Sequence, residues 1–306
     1  NNYGAWRAEW QSLSESLRLP QLMTQCIHKE WAVTDCYFGG SHGMPTEQQT
    51  RLDVPYLQVD RVALKSLLNE MIDAADVKRY TASLDARLTS PNLFDSDALA
   101  HDATGSSLTL SDGSKLRAKL VVDATGFESR ITLRETAGAS GLWKELSPGY
   151  QIAYGFRCDC VGHDPYQGDA MTLFDYRTDH FANDLKWEAD AVDRPSFMYA
   201  MPQGKQADGT YRIFFEETSL VGRNERRLSF AELKRRCLRR LEHLGIEIVD
   251  GSIAEEEYCY IPMGGALPDP TQRVIPVGGA ANTVHPSTGY QLCRLLASST
   301  ILSEAI

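Results

Sequence analysis

The stretch Leu120–Gly126 (LVVDATG) decides the fold, because a buried strand runs directly into a turn of small residues. In a doubly wound parallel sheet, ligands bind beyond the carboxyl ends of the strands, and small residues there let a nucleotide approach the backbone. An ordinary strand that ends before a glycine turn has the same pattern. This stretch alone therefore leaves a nucleotide site and a plain turn both open.

A second stretch, Arg273–Ala281 (RVIPVGGAA), repeats the pattern of a strand followed by glycines. It continues through His285–Tyr290 (HPSTGY), and we predict a helix from about Gly289. Exposed backbone N–H groups at the start of a helix bind anions such as a pyrophosphate, although a glycine-rich loop with a Ser/Thr cap is the simpler interpretation. Because the two stretches fit one architecture, together they favour a dinucleotide site.

The pattern changes after Pro148, where alternate residues from Tyr150 to Cys158 are apolar or aromatic. Residues 170–177, 196–202 and 210–221 also have the composition of strands. A period of two predicts a mostly antiparallel sheet. We therefore expect an α/β protein in which an antiparallel domain interrupts a nucleotide-binding domain.

The charge balance of the 306-residue chain excludes some classes of function. Lys and Arg number 31 against 41 Asp and Glu, a net charge of −10, which disfavours a nucleic-acid partner. No apolar run approaches the roughly 18 residues of a membrane span. The basic run Lys234–Arg236, with Arg239 and Arg240, is most simply a solvated helix face, and contact with an anionic membrane surface is the alternative.

The chain shows no pattern typical of a metal site. It has seven cysteines, an odd number without a Cys-x-x-Cys motif, and its histidines are scattered without ligand spacing. We expect reduced thiols and no metal.

The run Phe214–Thr218 (FFEET) is the strongest candidate for a catalytic segment. Glu216 and Glu217 point to opposite faces of a strand, so one of them faces the covered side of a packed sheet. An acid among aromatic rings is poorly solvated, which raises its pKa and keeps it able to donate a proton. An edge strand with two solvated acids is the alternative. The aromatic side chains that we expect nearby, and that could stabilise a cation, are Phe197, Tyr199, Phe214 and Trp187.

Two further segments offer charged candidates. Phe174–His180 (FDYRTDH) ends another predicted strand, and its Asp175 is either a second acid or part of a structural pair with Arg177. Arg61 begins a predicted helix that Asp60 caps, where it could reach a phosphate or lie in solvent.

Long motifs spread over the chain resemble those of plant-type or algal lycopene cyclases of the beta or epsilon type. The matching stretches are residues 1–6 (NNYGAW), 121–127, 148–155 (PGYQIAYG), 174–180, 197–202 (FMYAMP), 214–220, 261–268 (IPMGGALP) and 284–290. Phe215 stands where the family often has Leu.

The resemblance implies a Rossmann-type FAD-binding domain with an antiparallel-sheet substrate domain, similar to the p-hydroxybenzoate hydroxylase class. We expect the FAD-binding domain over residues 1–147 and 260–306, and the substrate domain over residues 148–259. The family's glycine-rich FAD motif lies upstream of Asn1, so we also expect a fragment that lacks this motif and the C-terminal part. The implied FAD contacts are Arg61, Asp123, Ala124, Thr125, Gly126, Gly278, Gly279, Ala280, Pro286, Ser287, Thr288 and Gly289.

The resemblance also implies an isomerase that protonates an end of lycopene, closes a ring through a carbocation and releases a proton, with reduced FAD, NADPH as reductant and no net redox change. By position, Glu216 is the first candidate for the acid/base residue and Glu217 the second, with Asp175 as a further acid. The implied location is peripheral, on plastid membranes. The alternatives are an FAD- and NADPH-dependent hydroxylase or polyprenyl reductase, and a binding module without catalysis. The ring type and the oligomeric state stay open.

Overall fold

The computed structural model describes residues 2–44, 48–83, 98–134, 148–163, 165–166 and 168–306. The chain groups into two compact units, Asn1–Leu68 with Gly149–Ile261 and Asn69–Pro148 with Pro262–Ile306. We expected residues 1–68 to belong with the nucleotide-binding segments. They group instead with the antiparallel sheet, because two strands from this part extend that sheet. The division into FAD and substrate domains stays a prediction.

The first unit begins with β1 (Tyr3–Trp6), α1 (Arg7–Ser16), α2 (Gln21–Gln25), β2 (Ile27–Trp31), β3 (Val33–Tyr37), β4 (Gln49–Leu52), β5 (Tyr56–Val59) and α3 (Arg61–Ala74), which runs on past Leu68. It resumes with β10 (Gly149–Val161), β11 (Ala170–Asp175), α4 (Leu185–Asp193), β12 (Ser196–Lys205), β13 (Tyr211–Ser219), α5 (Phe230–His243), β14 (Glu247–Ile248) and β15 (Ala254–Met263). The second unit contains β6 (Leu99–Asp102), β7 (Gly105–Thr109), β8 (Lys115–Ala118), β9 (Val121–Asp123), β16 (Val274–Pro276) and α6 (Leu292–Ala305).

An eight-stranded sheet dominates the first unit. Its order is β14-β10-β13-β12-β11-β3-β4, and β15 pairs with β10 beside this path. The pairs β10–β13, β12–β13 and β11–β12 are antiparallel, as the alternating pattern predicts, whereas β3 joins β11 in parallel. Strand β13, which carries both glutamates of the FFEET run, lies between β10 and β12. The edge-strand interpretation of that run is therefore wrong.

Helix α5 covers one face of this sheet and closes the main hydrophobic core. Buried side chains of β10 and β13 such as Phe156 and Phe215 pack there with Leu233 and Leu241 of the helix. The helix begins at a capping box, in which the Ser229 hydroxyl accepts from the Glu232 N–H and the Glu232 carboxylate accepts from the Ser229 N–H.

The second unit contains the two strands that precede the glycine turns near Gly126 and Gly278. β9 and β16 pair in parallel, with Val121 and Val274 buried against Ile131. A separate antiparallel sheet of β6, β7 and β8 lies in the same unit. Among the described residues, none of the helices is long and apolar enough to span a bilayer.

Candidate active site

The two glutamates of β13 lie on opposite faces of the central sheet. Glu216 is in register with Gly155 of β10 and Tyr199 of β12, whereas Glu217 is in register with Tyr154 and Met198. Because side chains alternate along a strand, one acid faces the core under α5 and its neighbour faces away from it. The sheet thus gives two adjacent acids different surroundings.

Glu216 is held in a poorly solvated position that favours its protonated form. Burial, with a smaller contribution from the nearby Glu257 carboxylate, raises the pKa of its carboxyl from 4.5 to about 7. The Thr218 hydroxyl, which donates to Glu216 Oε1 at 2.9 Å, lowers it in part. A carboxyl that titrates near neutral pH can act as both proton donor and acceptor.

Aromatic rings line the sheet on the side of Glu216. Phe197 occupies the same-face position next to Tyr199 on β12, and its ring centroid lies 5.1 Å from those of Phe174 and Tyr176. The Tyr199 hydroxyl donates to the Tyr56 hydroxyl at 3.1 Å. Ring faces of this kind attract positive charge without supplying a base that would quench a cation.

The other aromatic candidates divide between two places. Phe214 is buried on the strand of Glu216, two positions before it. Trp187 of α4 stacks on Phe181 at 5.2 Å and lies against Arg239 of α5, the helix that packs on β13 and β10. We therefore place Trp187 outside the aromatic lining around Glu216.

A third acid, Glu257 of β15, joins this site, and the sequence reasoning missed it. One carboxylate oxygen of Glu216, one of Glu257 and the sulfur of Cys259 all lie within 4.8 Å of one another. The run Glu255–Glu257 was the available sequence signal for a further acid. In a strand, Glu255 and Glu257 lie on one face and Glu256 on the other. Only the tertiary structure shows that Glu257 is the acid of this run that approaches Glu216.

Glu257 is anchored by a chain of amides from other strands. Asn2 donates through Nδ2 to Glu257 Oε1 at 2.8 Å, Gln58 donates to Asn2 Oδ1 at 2.7 Å, and Gln203 donates to Gln58 Oε1 at 2.9 Å. The NNYGAW motif at the start of the chain thereby contacts the acid site directly.

Glu217 has the surroundings of a structural ion pair. It is fully buried, and both of its carboxylate oxygens accept from the Arg240 guanidinium of α5, at 3.0 and 3.1 Å. The Ser196 hydroxyl also donates to it, at 2.6 Å. Because both of its carboxylate oxygens accept hydrogen bonds, Glu217 links α5 to the sheet through a buried ion pair. This geometry does not favour its predicted catalytic role.

The two glycine turns meet in the second unit at the carboxyl ends of β9 and β16. A Cβ placed on Gly279 would lie 2.9 Å from the Phe127 nitrogen and 3.1 Å from Gly126 Cα, so the turns touch backbone to backbone. Gly126 has a φ of +97°, and a Cβ placed there would have no neighbour within 4 Å. The turn Asp123–Gly126 and the turn Gly278–Ala280 therefore form one surface of small residues, as the sequence predicts.

The side chain of Asp123 organises its own turn. Its carboxylate accepts from the Thr125 N–H at 2.9 Å, from the Thr125 hydroxyl at 2.7 Å, and from the Ser129 and Thr132 hydroxyls. Although burial opposes it, these hydrogen bonds lower the pKa of Asp123. The ligand-binding capacity of this turn consequently lies in its backbone.

The sequence profile described as lycopene cyclase protein matches residues 1–306 of the chain. The chain belongs to the lycopene cyclase family. It is 36% identical over 307 residues to the chloroplastic neoxanthin synthase of Solanum tuberosum and 34% identical to the chloroplastic lycopene beta cyclase of Nicotiana tabacum. All of this chain is covered in both comparisons, but only 53% and 52% of those proteins, so it spans about half their length.

This lycopene cyclase family member shares its fold with a protein whose structure was solved with FAD. A variant of HpxO from Klebsiella pneumoniae, solved with FAD, superposes with a TM-score of 0.56 at 15% identity, covering 99% of this chain and 71% of that protein. The expected fold class, α/β with an antiparallel sheet and similar to p-hydroxybenzoate hydroxylase, is confirmed.

Asp175, the third acid named from the family motif, lies in a buried charge cluster. Arg177 donates to both of its oxygens, at 2.9 and 2.6 Å, and the Tyr166 hydroxyl donates at 3.0 Å. Although burial opposes it, Arg177, His42 and Arg240 hold the pKa of Asp175 well below its usual range. Asp175 is therefore ionised, and the structural interpretation of its pair with Arg177 fits better than an acid role.

The basic run of α5 is only partly a solvated face. Arg236 and Arg240 are fully buried, and Arg236 pairs with Asp190 at 2.7 Å. Lys234 pairs with Glu256, and Arg239 donates to the His180 carbonyl. The prediction of a solvated face holds for Arg235, which is exposed, and is wrong for Arg236 and Arg240. These two arginines are buried because paired arginines, together with the apolar side chains of the helix, complete its contact with the sheet.

The remaining predicted FAD contacts are placed as follows. The Arg61 guanidinium lies 3.8 Å from Glu255, and part of its side chain is exposed. Pro286, Ser287, Thr288 and Gly289 form a turn in which Gly289 donates to the His285 carbonyl at 2.9 Å. α6 begins at Leu292 and not at about Gly289. The Gly289 N–H and the Tyr290 carbonyl form hydrogen bonds with His285 within this turn, so they do not form the first turn of the helix.

Within the part of the chain that the structure describes, two groups of side chains have ligand atoms close enough to hold a metal ion: His42 with Asp179 and His243, and Glu216 with Glu257 and Cys259. The absence of a metal stays a prediction. All seven cysteines are buried and none forms a disulfide, in agreement with the expected reduced thiols.

Proposed function

We propose that the protein from which this chain comes cyclises the linear ends of lycopene or a related carotenoid, as an isomerase. The observation that carries the proposal is Glu216, a carboxyl with a pKa near 7 on the aromatic side of a central strand, in a member of the lycopene cyclase family. An apolar polyene has no charged group for a protein to bind. An apolar site that is lined by aromatic rings and contains one protonated acid therefore suits it.

In the proposed reaction, protonated Glu216 gives its proton to the terminal double bond of the polyene. The resulting carbocation is attacked by an internal double bond, which closes the ring, and a proton leaves from a ring carbon. The aromatic lining of Phe174, Tyr176, Phe197 and Tyr199 lowers the energy of the cation. The proton count and the electron count of substrate and product are equal, so the reaction has no net redox change.

The small-residue turns fit a dinucleotide. Backbone N–H groups at the ends of β9 and β16, with no side chain within 4 Å of Gly126 on its open side, suit a phosphate-bearing ligand. We propose that Ala124, Thr125, Gly126, Gly278, Gly279 and Ala280 hold FAD, and that Pro286–Gly289 of the same unit complete its site. A contact between Arg61 and FAD stays a prediction from the family resemblance. Reduced FAD would supply negative charge that stabilises the cation, with NADPH as the source of its electrons.

We further propose a peripheral location on plastid membranes, since the substrate resides in lipid. The two curated relatives named above are chloroplastic. Leu185 and Val192 of α4, whose side chains are 83% and 85% exposed, are apolar groups available for such a surface.

The decisive experiment incubates the full-length protein with lycopene, FAD and NADPH and compares product masses. The proposal predicts a cyclic product with the mass of lycopene and no stoichiometric NADPH consumption. A product of altered mass, with NADPH or oxygen consumed in proportion, would select a hydroxylase or reductase on the same scaffold.

A further inference from the structure

We propose that His42, Asp179 and His243 form a binding site for a divalent transition-metal ion of the Zn²⁺ type, within the unit that contains the eight-stranded sheet. One ligand atom from each of these side chains lies within 4.8 Å of the other two. Two imidazoles and a carboxylate suit Zn²⁺, whereas Mg²⁺ and Ca²⁺ prefer oxygen ligands. The inference goes beyond the proposed function and does not depend on the acid role of Glu216.

The fold brings these ligands together from three separate segments. His42 follows β3, Asp179 begins a short 3₁₀ helix (Asp179–Phe181) after β11, and His243 is the last residue of α5. Strands β3 and β11 are parallel neighbours, with Tyr37 in register with Asp175, so the segments that follow them leave the same edge of the sheet. The expectation of no metal rested on the spacing of histidines along the chain, and a site assembled in this way needs no such spacing.

The distances and charge within the cluster suit a metal. His243 Nε2 lies 3.4 Å from Asp179 Oδ2, and ligand atoms on a tetrahedral Zn²⁺ ion with bonds of about 2.0–2.1 Å lie roughly 3.4 Å apart. Asp179 accepts from the Ser41 hydroxyl at 2.7 Å and from the His42 N–H at 2.9 Å. Although burial opposes it, hydrogen bonds from Ser41 and His42 lower the pKa of Asp179 to about 2. Asp179 is therefore an anion, the form that binds a metal.

The ring of His42 lies between two carboxylates. Its Nδ1 contacts Asp179 Oδ1, and its Nε2 faces Asp175 Oδ2 at 3.6 Å. Metal-bound histidines usually direct their second ring nitrogen at a carboxylate, which orients the ring. A neutral imidazole has one N–H and cannot donate to both acids, whereas a metal ion between Nδ1 and Asp179 binds both of their lone pairs. A second ring proton is the alternative, and the test distinguishes it.

A buried histidine beside the cluster points independently to a polar or ionic ligand. The ring centroid of His180 lies 6.1 Å from that of His42 and 6.4 Å from that of His243. His180 is only 3% exposed, and among the described residues neither of its ring nitrogens has a hydrogen-bond partner. Burial and the nearby Arg240 guanidinium lower its pKa, so the ring is neutral. Buried polar atoms without a protein partner commonly face an ion or an ordered water.

The surroundings of the cluster admit a hydrated cation. His42 and His243 line a cavity of about 780 Å³, from which a bound metal can take water as a further ligand. The side chain of His243 is 39% exposed, so an ion reaches the cluster from solvent. His243 also ends α5, and the carboxyl end of a helix attracts positive charge. Arg240, the cation that acts on His180, is itself paired with Glu217.

The test strips the full-length protein with a chelator, adds Zn²⁺ alone and measures the bound metal by mass spectrometry and the affinity by competition with a chromophoric chelator. We expect one Zn²⁺ ion per chain and a loss of affinity of roughly a hundredfold or more in His243→Gln, which removes a ligand at a partly exposed position. The matched control is His28→Gln, an exposed histidine of β2 in the same unit, and it keeps the wild-type affinity. Glu216→Gln also keeps it, which separates this site from the grouping of Glu216 with Glu257 and Cys259.

A spectroscopic rescue and a thermal readout complete the test. His243→Cys supplies a thiolate ligand, so it regains affinity and gives the Co²⁺-loaded protein a sulfur-to-metal charge-transfer band. Added Zn²⁺ raises the Tm of the wild type and of His28→Gln but not that of His243→Gln, whose fold is checked by circular dichroism. A folded wild type that takes up no Zn²⁺ overturns the proposal and leaves His42 with a second proton. Equal affinity in His243→Gln, or a loss of binding in Glu216→Gln, overturns it as well.

Discussion

Glu216 and Glu217 are consecutive residues with opposite electrostatic surroundings. Glu217 is buried against the Arg240 guanidinium at 3.0 Å, whereas Glu216 has the Glu257 carboxylate nearby and no cation among its described hydrogen-bond partners. The same residue type forms a buried ion pair on one face of β13 and has a raised pKa on the other. This difference supports the proposed catalytic role of Glu216 and a structural role of Glu217.

Glu216→Gln should abolish ring formation and stabilise the protein above pH 7. The pKa of Glu216 is raised to about 7 in the folded state. The folded protein therefore binds the proton more tightly than the unfolded chain, and its free energy of unfolding falls as pH rises from about 4.5 to 7. The variant has no acid at this position and escapes this loss. Its free energy of unfolding should therefore exceed that of the wild type by on the order of 1–3 kcal/mol above pH 7 and equal it near pH 4. Urea unfolding at both pH values measures it, and an active variant would eliminate Glu216 from the mechanism.

Glu217→Gln should lower the free energy of unfolding of the protein without a specific effect on the pKa of Glu216. It removes the carboxylate that accepts two hydrogen bonds from the buried Arg240 guanidinium and leaves that guanidinium with the more distant Asp175, at 3.8 Å. Breaking a buried ion pair in this way costs about 3–5 kcal/mol. A second change, Arg240→Met, in the same chain should recover part of that loss. Urea midpoints of the two single variants and the double variant measure the coupling, and additive effects would show that the pair contributes nothing.

Cyclisation should depend on a protonated group with a pKa near 7. Glu216 loses its proton above that value, so kcat/KM should fall about tenfold per pH unit beyond the limb. The profile is measured with the flavin kept reduced at each pH, so that only the protein titrates. A rate that stays constant to pH 9 would show that Glu216 does not donate the proton.

Gly279→Ala should weaken FAD binding by roughly tenfold or more, equivalent to about 1.4 kcal/mol. The added Cβ would lie 2.9 Å from the Phe127 nitrogen, so the two turns must separate. Gly113→Asn is the matched control, because it lies in the same unit with a φ of +83°, has no neighbour within 4 Å of its Cβ, and Asn tolerates that conformation. Flavin fluorescence titration compares them, and equal affinities would place FAD elsewhere.

The sequence identified local features correctly wherever a short pattern sets the structure. The period of two after Pro148 predicted the antiparallel strands, and the Ser229–Glu232 spacing places a capping box that begins α5. The turn residues after β9 and β16 were expected at one ligand-binding edge, because parallel neighbours end together. The sequence did not predict the buried arginines of α5. Arginines on a helix are normally expected to be exposed, and only the fold shows that a buried partner such as Glu217 pairs with one of them.

The amino-acid sequence by itself determined the alternation that sends Glu216 and Glu217 to opposite faces, because side-chain direction in a strand is a property of the local backbone. The tertiary structure alone decided which of the two pairs with Arg240 and which has its pKa raised by burial beside Glu257. A pKa depends on the charges and the water within a few ångströms, and those neighbours come from α5 and β15, far along the chain.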